Sequence, residues 1–112
     1  LKIFIILTLL FCFSVNAKEK VTLYFFHGDG CPHCAEEQTD LIDDLKKDSS
    51  INVEEIEVWH DSENKELLDK VISAYGSRSG VPYNVIGDTT IVGYSEANKN
   101  KILRDRIWIN LI

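Results

Sequence analysis

The chain has 112 residues, enough for one domain, and its apolar content of 45% and charged content of 27% are ordinary for a globular protein. A formal net charge of -6 without a basic cluster argues against nucleic acid as a partner. Of the three cysteines, Cys12 lies in an apolar N-terminal run, which leaves Cys31 and Cys34 as the only pair in the rest of the chain. One pair so close in sequence is no disulfide framework and indicates redox or metal chemistry.

Residues 1–17 have the pattern of an export signal. Lys2 is a positive flank, residues 3–13 are almost wholly apolar but too few to span a bilayer, and small residues precede a cleavage site after Ala17. We therefore expect an exported protein, periplasmic or extracytoplasmic, whose mature domain is residues 18–112. An uncleaved signal would tether it to a membrane, and a buried element of the domain is a third interpretation.

A strand, a turn and a helix are predicted around the cysteine pair. Residues 21–26 are β-branched, aromatic and nearly continuously apolar, which is typical of a strand buried on both faces, and His27 closes it. Residues 28–30 predict a turn, and Pro32 suits the first turn of a helix over residues 32–47. The helix places these residues inside: Cys34, Leu41, Ile42 and Leu45. It places the following residues on the solvent-exposed side: Glu36, Glu37, Asp40, Asp43, Asp44 and Lys46.

The rest of the chain alternates between strands and helices. Residues 51–59 predict a strand with one slip in its period, consistent with a bulge. Asp61 and Ser62 offer an N-cap for a second helix that Gly76 ends. Residues 83–86 and 90–94 predict a hairpin, and Ser95 can cap a last helix that reaches about residue 112. The apolar positions of these two helices are Leu67, Leu68, Val71, Ile72, Tyr75, Ile102, Leu103, Ile107 and Leu111.

Three features together resemble the thioredoxin superfamily: the order β-α-β-α-β-β-α, Cys31-Pro32-His33-Cys34 at a strand-to-helix turn, and Val81-Pro82 before the third strand. The resemblance covers residues 18–112. The motif is similar to that of DsbA-type disulfide oxidases, whereas the length is closer to a glutaredoxin-sized domain, as in some exported bacterial proteins. The resemblance implies an α/β, three-layer, thioredoxin-like fold with a four-stranded mixed sheet flanked by helices. It also implies a cis Pro82 beside the cysteine pair.

The catalytic candidates are Cys31, Pro32, His33 and Cys34. A cysteine at a helix N-terminus favours the thiolate, and such sites have thiol pKa values of about 3.5–7.5 instead of about 8.5. Protonated His33 would add a positive charge and make Cys31 a better leaving group, which favours donation of the disulfide. Cys34 is the candidate resolving thiol, and we expect no cofactor other than this redox-active disulfide.

The resemblance assigns Val81 and Pro82 to substrate binding. The Val81 backbone would pair with an extended substrate segment like an added strand, and Pro82 would keep metals and stray thiols from the cysteines. The expected partners are protein thiols and disulfides and a membrane or thioredoxin-type redox partner, and the expected state is a monomer. Members of the superfamily often carry a buried carboxylate in the strand before the motif. Residues 21–26 contain none, so either water or Glu37 relays the proton, or the resolving step is slower.

The expected function is an exported thiol–disulfide oxidoreductase that acts on protein thiols, with oxidation slightly favoured. The alternatives are a soluble electron-transfer module of a membrane reductase system, a non-catalytic thioredoxin-like peptide-binding domain, and a metal carrier. Zinc usually needs four ligands. The two cysteines would need help from His27, His33 or His60, and no second Cys-X-X-Cys exists, so we expect no metal site.

Overall fold

The computed structural model describes residues 20–111, and it describes side chains as far as residue 107. The predicted export signal, Cys12 and Ile112 lie outside the described residues, so the signal and the domain boundary after residue 17 stay predictions. No helix in the described range has the length and apolar character needed to cross a bilayer.

The order of elements is the predicted β-α-β-α-β-β-α. The strands are β1 (Val21–His27), β2 (Ile51–Glu57), β3 (Tyr83–Ile86) and β4 (Thr89–Val92). Helix α1 has three consecutive parts, an α-helical start (Pro32–Glu37), a π-helical turn (Gln38–Ile42) and an α-helical end (Asp43–Leu45). The other helices are α2 (Ser62–Tyr75) and α3 (Glu96–Leu111).

The four strands form one mixed sheet in the order β2-β1-β3-β4. β1 pairs in parallel with β2 from Val21 opposite Ile51 to His27 opposite Glu57, and β3 is antiparallel to both β1 and β4. The seven β1–β2 pairs run without interruption, so the predicted bulge in β2 is wrong. As an edge strand, β2 has its alternate residues only partly covered, and its pattern is therefore irregular without any change of register.

Helices cover both faces of the sheet, which gives the predicted three layers. One face carries the larger core, formed with α1 and α3 by residues that include Leu23, Phe25, Ile42 and Ile102. The other face carries a smaller core formed with α2. Because α2 is the single helix on that face among the described residues, Tyr24 stays 43% exposed, and the prediction that β1 is buried throughout is wrong at this position.

Helix α1 buries the predicted residues Cys34, Leu41, Ile42 and Leu45, but it also buries Glu37, which was expected in water. Position 37 lies three residues after Cys34 and four before Leu41, so helical spacing puts it on the inner face. The expectation of exposure came from its polarity alone. The helix also ends at Leu45, two residues earlier than predicted.

The predicted helix signals are in place. Asp61 Oδ1 accepts a hydrogen bond from Asn64 N at 3.0 Å at the start of α2, and Ser95 Oγ accepts one from Asn98 N at 3.1 Å before α3. Gly76 ends α2 with a φ of 63°, a conformation that glycine adopts without strain. Three apolar residues expected on inner faces are instead largely exposed: Leu67, Tyr75 and Ile107.

Candidate active site

The cysteine pair forms a disulfide at the N-terminus of α1. The Cα atoms of Cys31 and Cys34 are 5.2 Å apart. Cys31 is the N-cap of the helix, with an extended backbone, and its Sγ accepts a hydrogen bond from Cys34 N at 3.2 Å. The Cys31 carbonyl oxygen accepts the first helical bond, from Ala35 N at 3.0 Å. The sulfur of Cys31 therefore lies where the helix presents unpaired N–H groups, which stabilise a thiolate.

The turn before Cys31 is held closely by its neighbours. Cys31 N donates to Gly28 O at 3.0 Å, and Gly30 has a φ of 100° that favours glycine. The indole of Trp59 lies against Gly28, and a methyl group there would overlap the ring. A cavity of about 200 Å³ opens between this turn and α1, and its lining includes His27, Asp29, Cys31 and Gln38.

Glu57, at the end of β2, ties the Cys31 turn to the loop that carries Trp59. Its carboxylate accepts backbone hydrogen bonds from Asp29 N at 2.8 Å, Trp59 N at 3.1 Å and His60 N at 2.7 Å. Desolvation raises the pKa of Glu57, but these donors and the His60 ring outweigh it and lower the pKa to about 2. These bonds also explain why β2 ends at Glu57 and not at Trp59, because the N–H groups of residues 59 and 60 donate to the Glu57 carboxylate and not to a neighbouring strand.

A buried polar pair lies under the cysteine helix. Glu37 and Asn84 are both fully buried, and Asn84 Nδ2 donates to Glu37 Oε1 at 2.9 Å. Burial raises the pKa of Glu37 to about 7, against a smaller lowering effect of the Asn84 hydrogen bond. The second oxygens of both groups, Glu37 Oε2 and Asn84 Oδ1, have no hydrogen-bond partner within the described part of the chain. Asn84 follows Pro82 by two residues, so the pair links α1 to the third strand.

The Val81–Pro82 peptide bond is cis, as the resemblance implied. Val81 packs against the core cluster that contains both cysteines. Pro82 O accepts a hydrogen bond from Gly93 N at 2.8 Å, whereas no backbone hydrogen bond within the described chain engages the N–H or C=O of Val81. A groove of about 320 Å³ continues from Val81, lined by Val58, Trp59, Lys65, Leu68, Ser79 and Gly80.

The remaining catalytic candidates, Pro32 and His33, lie at the surface. Pro32 is exposed in the first turn of α1. His33 is 71% exposed, and its Nδ1 lies 3.6 Å from Glu36 Oε2. His27 stacks on Phe25 with ring centroids 5.1 Å apart. The structure thus brings Cys31, Cys34 and Val81 into one cluster and leaves His33 in solvent beside a carboxylate.

Within the described residues, one group has the spacing of metal ligands. Asp29, Glu57 and His60 each offer an atom within 4.8 Å of the others. The Glu57 carboxylate is already occupied by three backbone donors, and the cysteines belong to the disulfide. The closeness of Asp29, Glu57 and His60 is therefore explained by the hydrogen bonds through which Glu57 joins the turn before Cys31 to the loop after β2.

The sequence did not predict the burial of Glu37, the position of Trp59 over Gly28, or the role of Asn84. Helical spacing from Cys34 would have placed Glu37 inside. Trp59 was predicted only as the last residue of the strand over residues 51–59, and not as a residue of the site. No local signal pointed to Asn84, because its partner is 47 residues away in the sequence.

The sheet order, the three layers, the cis proline and the Cys-X-X-Cys disulfide define a thioredoxin-like fold. The structure is similar to the crystal structure of a glutaredoxin, grx-1 from Archaeoglobus fulgidus, with a TM-score of 0.54 and 26% sequence identity. The similarity covers 80% of this chain and 99% of that one. No known protein family's profile matches the chain, and no curated protein matches it either. A glutaredoxin-like fold with a disulfide-forming cysteine pair supports a thiol–disulfide oxidoreductase in general terms.

Proposed function

We propose that this protein is an exported thiol–disulfide oxidoreductase that exchanges disulfides with protein thiols. The observation that carries the proposal is the closed Cys31–Cys34 disulfide at the start of α1, with Cys31 Sγ facing the Cys34 N–H. In this proposal residues 1–17 are a cleaved signal and residues 18–112 are the redox domain.

Cys31 is the proposed nucleophile and Cys34 the resolving thiol. In the oxidising direction a substrate thiolate attacks Cys31 Sγ, the Cys31–Cys34 bond breaks, and its electron pair leaves on Cys34. A second substrate thiolate then displaces Cys31, so that the substrate is oxidised and the pair reduced. In the reducing direction, the Cys31 thiolate attacks a substrate disulfide and Cys34 releases the product. The helix N–H groups at Cys31 stabilise its thiolate in both directions.

Val81 is the proposed site for the substrate backbone. No backbone hydrogen bond among the described residues engages its N–H or C=O, so an extended segment can pair with them as an added strand. The neighbouring groove is bordered by the exposed Trp59 and by Gly80 and would take an apolar side chain beside the substrate cysteine. Pro82 fixes the direction of this backbone next to the disulfide.

The direction of electron flow depends on the reduction potential of the pair. His33 was expected to favour oxidation, but its exposure and its contact with Glu36 screen the effect of its charge on Cys31. We keep oxidation as the proposed direction, and measurement of the potential decides it. A value near about -120 mV would support an oxidase, whereas one near about -270 mV would favour the alternative of an electron-transfer module that supplies reducing equivalents.

Substrate trapping tests the proposal with a matched pair of variants. Cys34→Ser leaves Cys31 able to attack but removes the resolving thiol, so it should accumulate a mixed disulfide with a reporter such as insulin. Cys31→Ser keeps only Cys34, which lies within the helix and not at its N-cap, and should trap little. Equal trapping by both variants would refute the assigned roles of the two cysteines, and no trapping by either would leave only a peptide-binding role. The signal is tested separately by the mass of the exported chain, which should begin at Lys18.

A further inference from the structure

We propose that Glu37 holds a proton in the oxidised protein, shared in a two-bond pair with Asn84, and passes it to Cys34 when the disulfide opens. The reaction part of this inference rests on the proposed function. The location of the proton does not.

The Glu37–Asn84 pair lacks one hydrogen-bond donor when Glu37 is ionised. Asn84 Nδ2 already donates to Glu37 Oε1. The two atoms left without partners, Glu37 Oε2 and Asn84 Oδ1, belong to the same two planar groups, and each is an acceptor when Glu37 is ionised. A single proton on Oε2 turns that oxygen into a donor to Asn84 Oδ1. Both orphaned atoms are then satisfied, which removes the cost of two unpaired buried groups.

The surroundings of Glu37 also favour the neutral acid. Tyr94, in the segment after β4, is an ionisable neighbour of Glu37, and its hydroxyl donates to Asp40 Oδ2, one turn further along α1, at 3.4 Å. β1 and α3 contribute the apolar Phe25 and Ile102 to this core. In the described part of the chain no cation is hydrogen-bonded or ion-paired to Glu37.

The position of Glu37 connects it to the disulfide. It lies three residues after Cys34 on the buried face of one helix, a spacing that brings side chains together at about 5–6 Å between Cβ atoms. Helical side chains lean towards the N-terminus, so Glu37 leans towards Cys34 and not away from it. Both groups are shielded from bulk water, which leaves the carboxylic acid as a nearby proton source.

The proposed step balances in both directions. When a thiolate attacks Cys31 Sγ, the disulfide bond breaks and its electron pair goes to Cys34 Sγ. The proton of Glu37 moves to that sulfur, which leaves a Cys34 thiol and a Glu37 carboxylate. In reverse, the carboxylate takes the proton from Cys34, and the resulting thiolate attacks Cys31 in a mixed disulfide. The substrate sulfur then leaves and the Cys31–Cys34 bond reforms.

Carbon-13 NMR of the glutamate side-chain carboxyls tests the proton's location without any substrate. In the oxidised wild-type protein, the Glu37 signal, assigned from its absence in Glu37→Gln, should show a neutral acid at pH about 5.5 and titrate near pH 7. A Glu37 signal already ionised at pH about 5.5 would overturn the inference. Because this readout needs no reaction, it stands even if the protein fails to exchange disulfides with proteins.

The rate at which dithiothreitol reduces the disulfide, corrected for its thiolate fraction, tests the transfer. In the wild type this rate should fall as the pH rises through about 7. Glu37→Gln should be about tenfold slower below that pH and show no such step. The effect is smaller than that of most positioned acids because a thiolate already leaves well. Glutamine can make both hydrogen bonds to Asn84, so a merely structural role predicts that the two pH profiles coincide, and that result would overturn the transfer step.

Discussion

Glu37→Gln should abolish a loss of stability that the wild-type protein undergoes between pH 4.5 and about 7. Burial raises the pKa of the Glu37 carboxyl in the folded protein from its ordinary value of 4.5 to about 7. A difference of about 2.5 in pKa corresponds to about 3 kcal/mol, since one unit is about 1.4 kcal/mol. The side chain has 0% exposure, so solvent screens little of this energy.

The sign of the effect follows from which state keeps the proton. Below pH 4.5 Glu37 is protonated in both the folded and the unfolded chain, and the full stability is present. As the pH rises, the unfolded chain loses its proton first, so the folded state binds more protons and becomes less stable. Above about pH 7 both states are ionised, and the loss of about 3 kcal/mol stays constant.

Urea unfolding of the oxidised proteins at a series of pH values measures this directly. The free energy of unfolding of Glu37→Gln minus that of the wild type cancels the other titrating groups, which the two proteins share. This difference should rise by about 2.5 kcal/mol between pH of about 5 and about 8, because part of the loss has already occurred at the lower pH. Glutamine suits the comparison because it keeps the volume of the side chain and can pair with Asn84 through both of its polar atoms.

A difference that does not vary with pH would refute the reasoning. It would mean that Glu37 ionises in the folded protein as readily as in water, whatever its burial. A difference that falls with rising pH would reverse the sign and place a stabilising charge near the carboxylate, which the described residues do not provide.

Three further predictions concern the loops and caps around the site. Gly28→Ala should cost about 1–3 kcal/mol because its methyl group overlaps the Trp59 indole, and thermal unfolding should show that the cost largely disappears in a Trp59→Ala background; an equal cost in both backgrounds would contradict the packing. Glu57→Gln should be less stable than the wild type at neutral pH. Its deficit in urea unfolding should shrink as the pH falls from 4.5 towards about 2, because the stability that the Glu57 charge gives is lost as the carboxylate is protonated; a constant deficit would contradict this. Asp61→Ala should cost about 1 kcal/mol in the same assay through loss of the α2 cap, and Asp61→Asn should recover most of it.

Local rules predicted most of the fold. The caps at Asp61 and Ser95 and the stop at Gly76 lie where the sequence placed them, because each acts on backbone groups within four residues. The apolar stripe of α1 was also correct, since the period of 3.6 residues requires only the helix itself. The four-stranded sheet with helices on both faces and the cis proline came from the resemblance to a family and not from spacing.

The errors arise where distant groups decide the local structure. β2 was extended to Trp59 because the residues are apolar, but the Glu57 carboxylate takes the N–H groups of residues 59 and 60. The indole can then cover Gly28, which lies 31 positions earlier in the chain. Leu67 and Tyr75 have the helical spacing of inner positions, yet both are 45% exposed, and the core under α2 is formed with Leu68, Val71 and Ile72 instead.

Glu37, in the cysteine helix, and Glu57, at the end of β2, have opposite pH dependence, because burial dominates at Glu37 and hydrogen bonding dominates at Glu57. Glu57 has three backbone donors, so its charge stabilises the turn before Cys31 over the whole neutral range. Glu37 has one donor, and its charge destabilises the folded protein. A glutamine at position 37 would make the same contacts with Asn84 without a penalty at neutral pH, so hydrogen bonding alone gives no physical reason for a carboxylic acid there. The capacity to hold and release a proton beside Cys34 does give one.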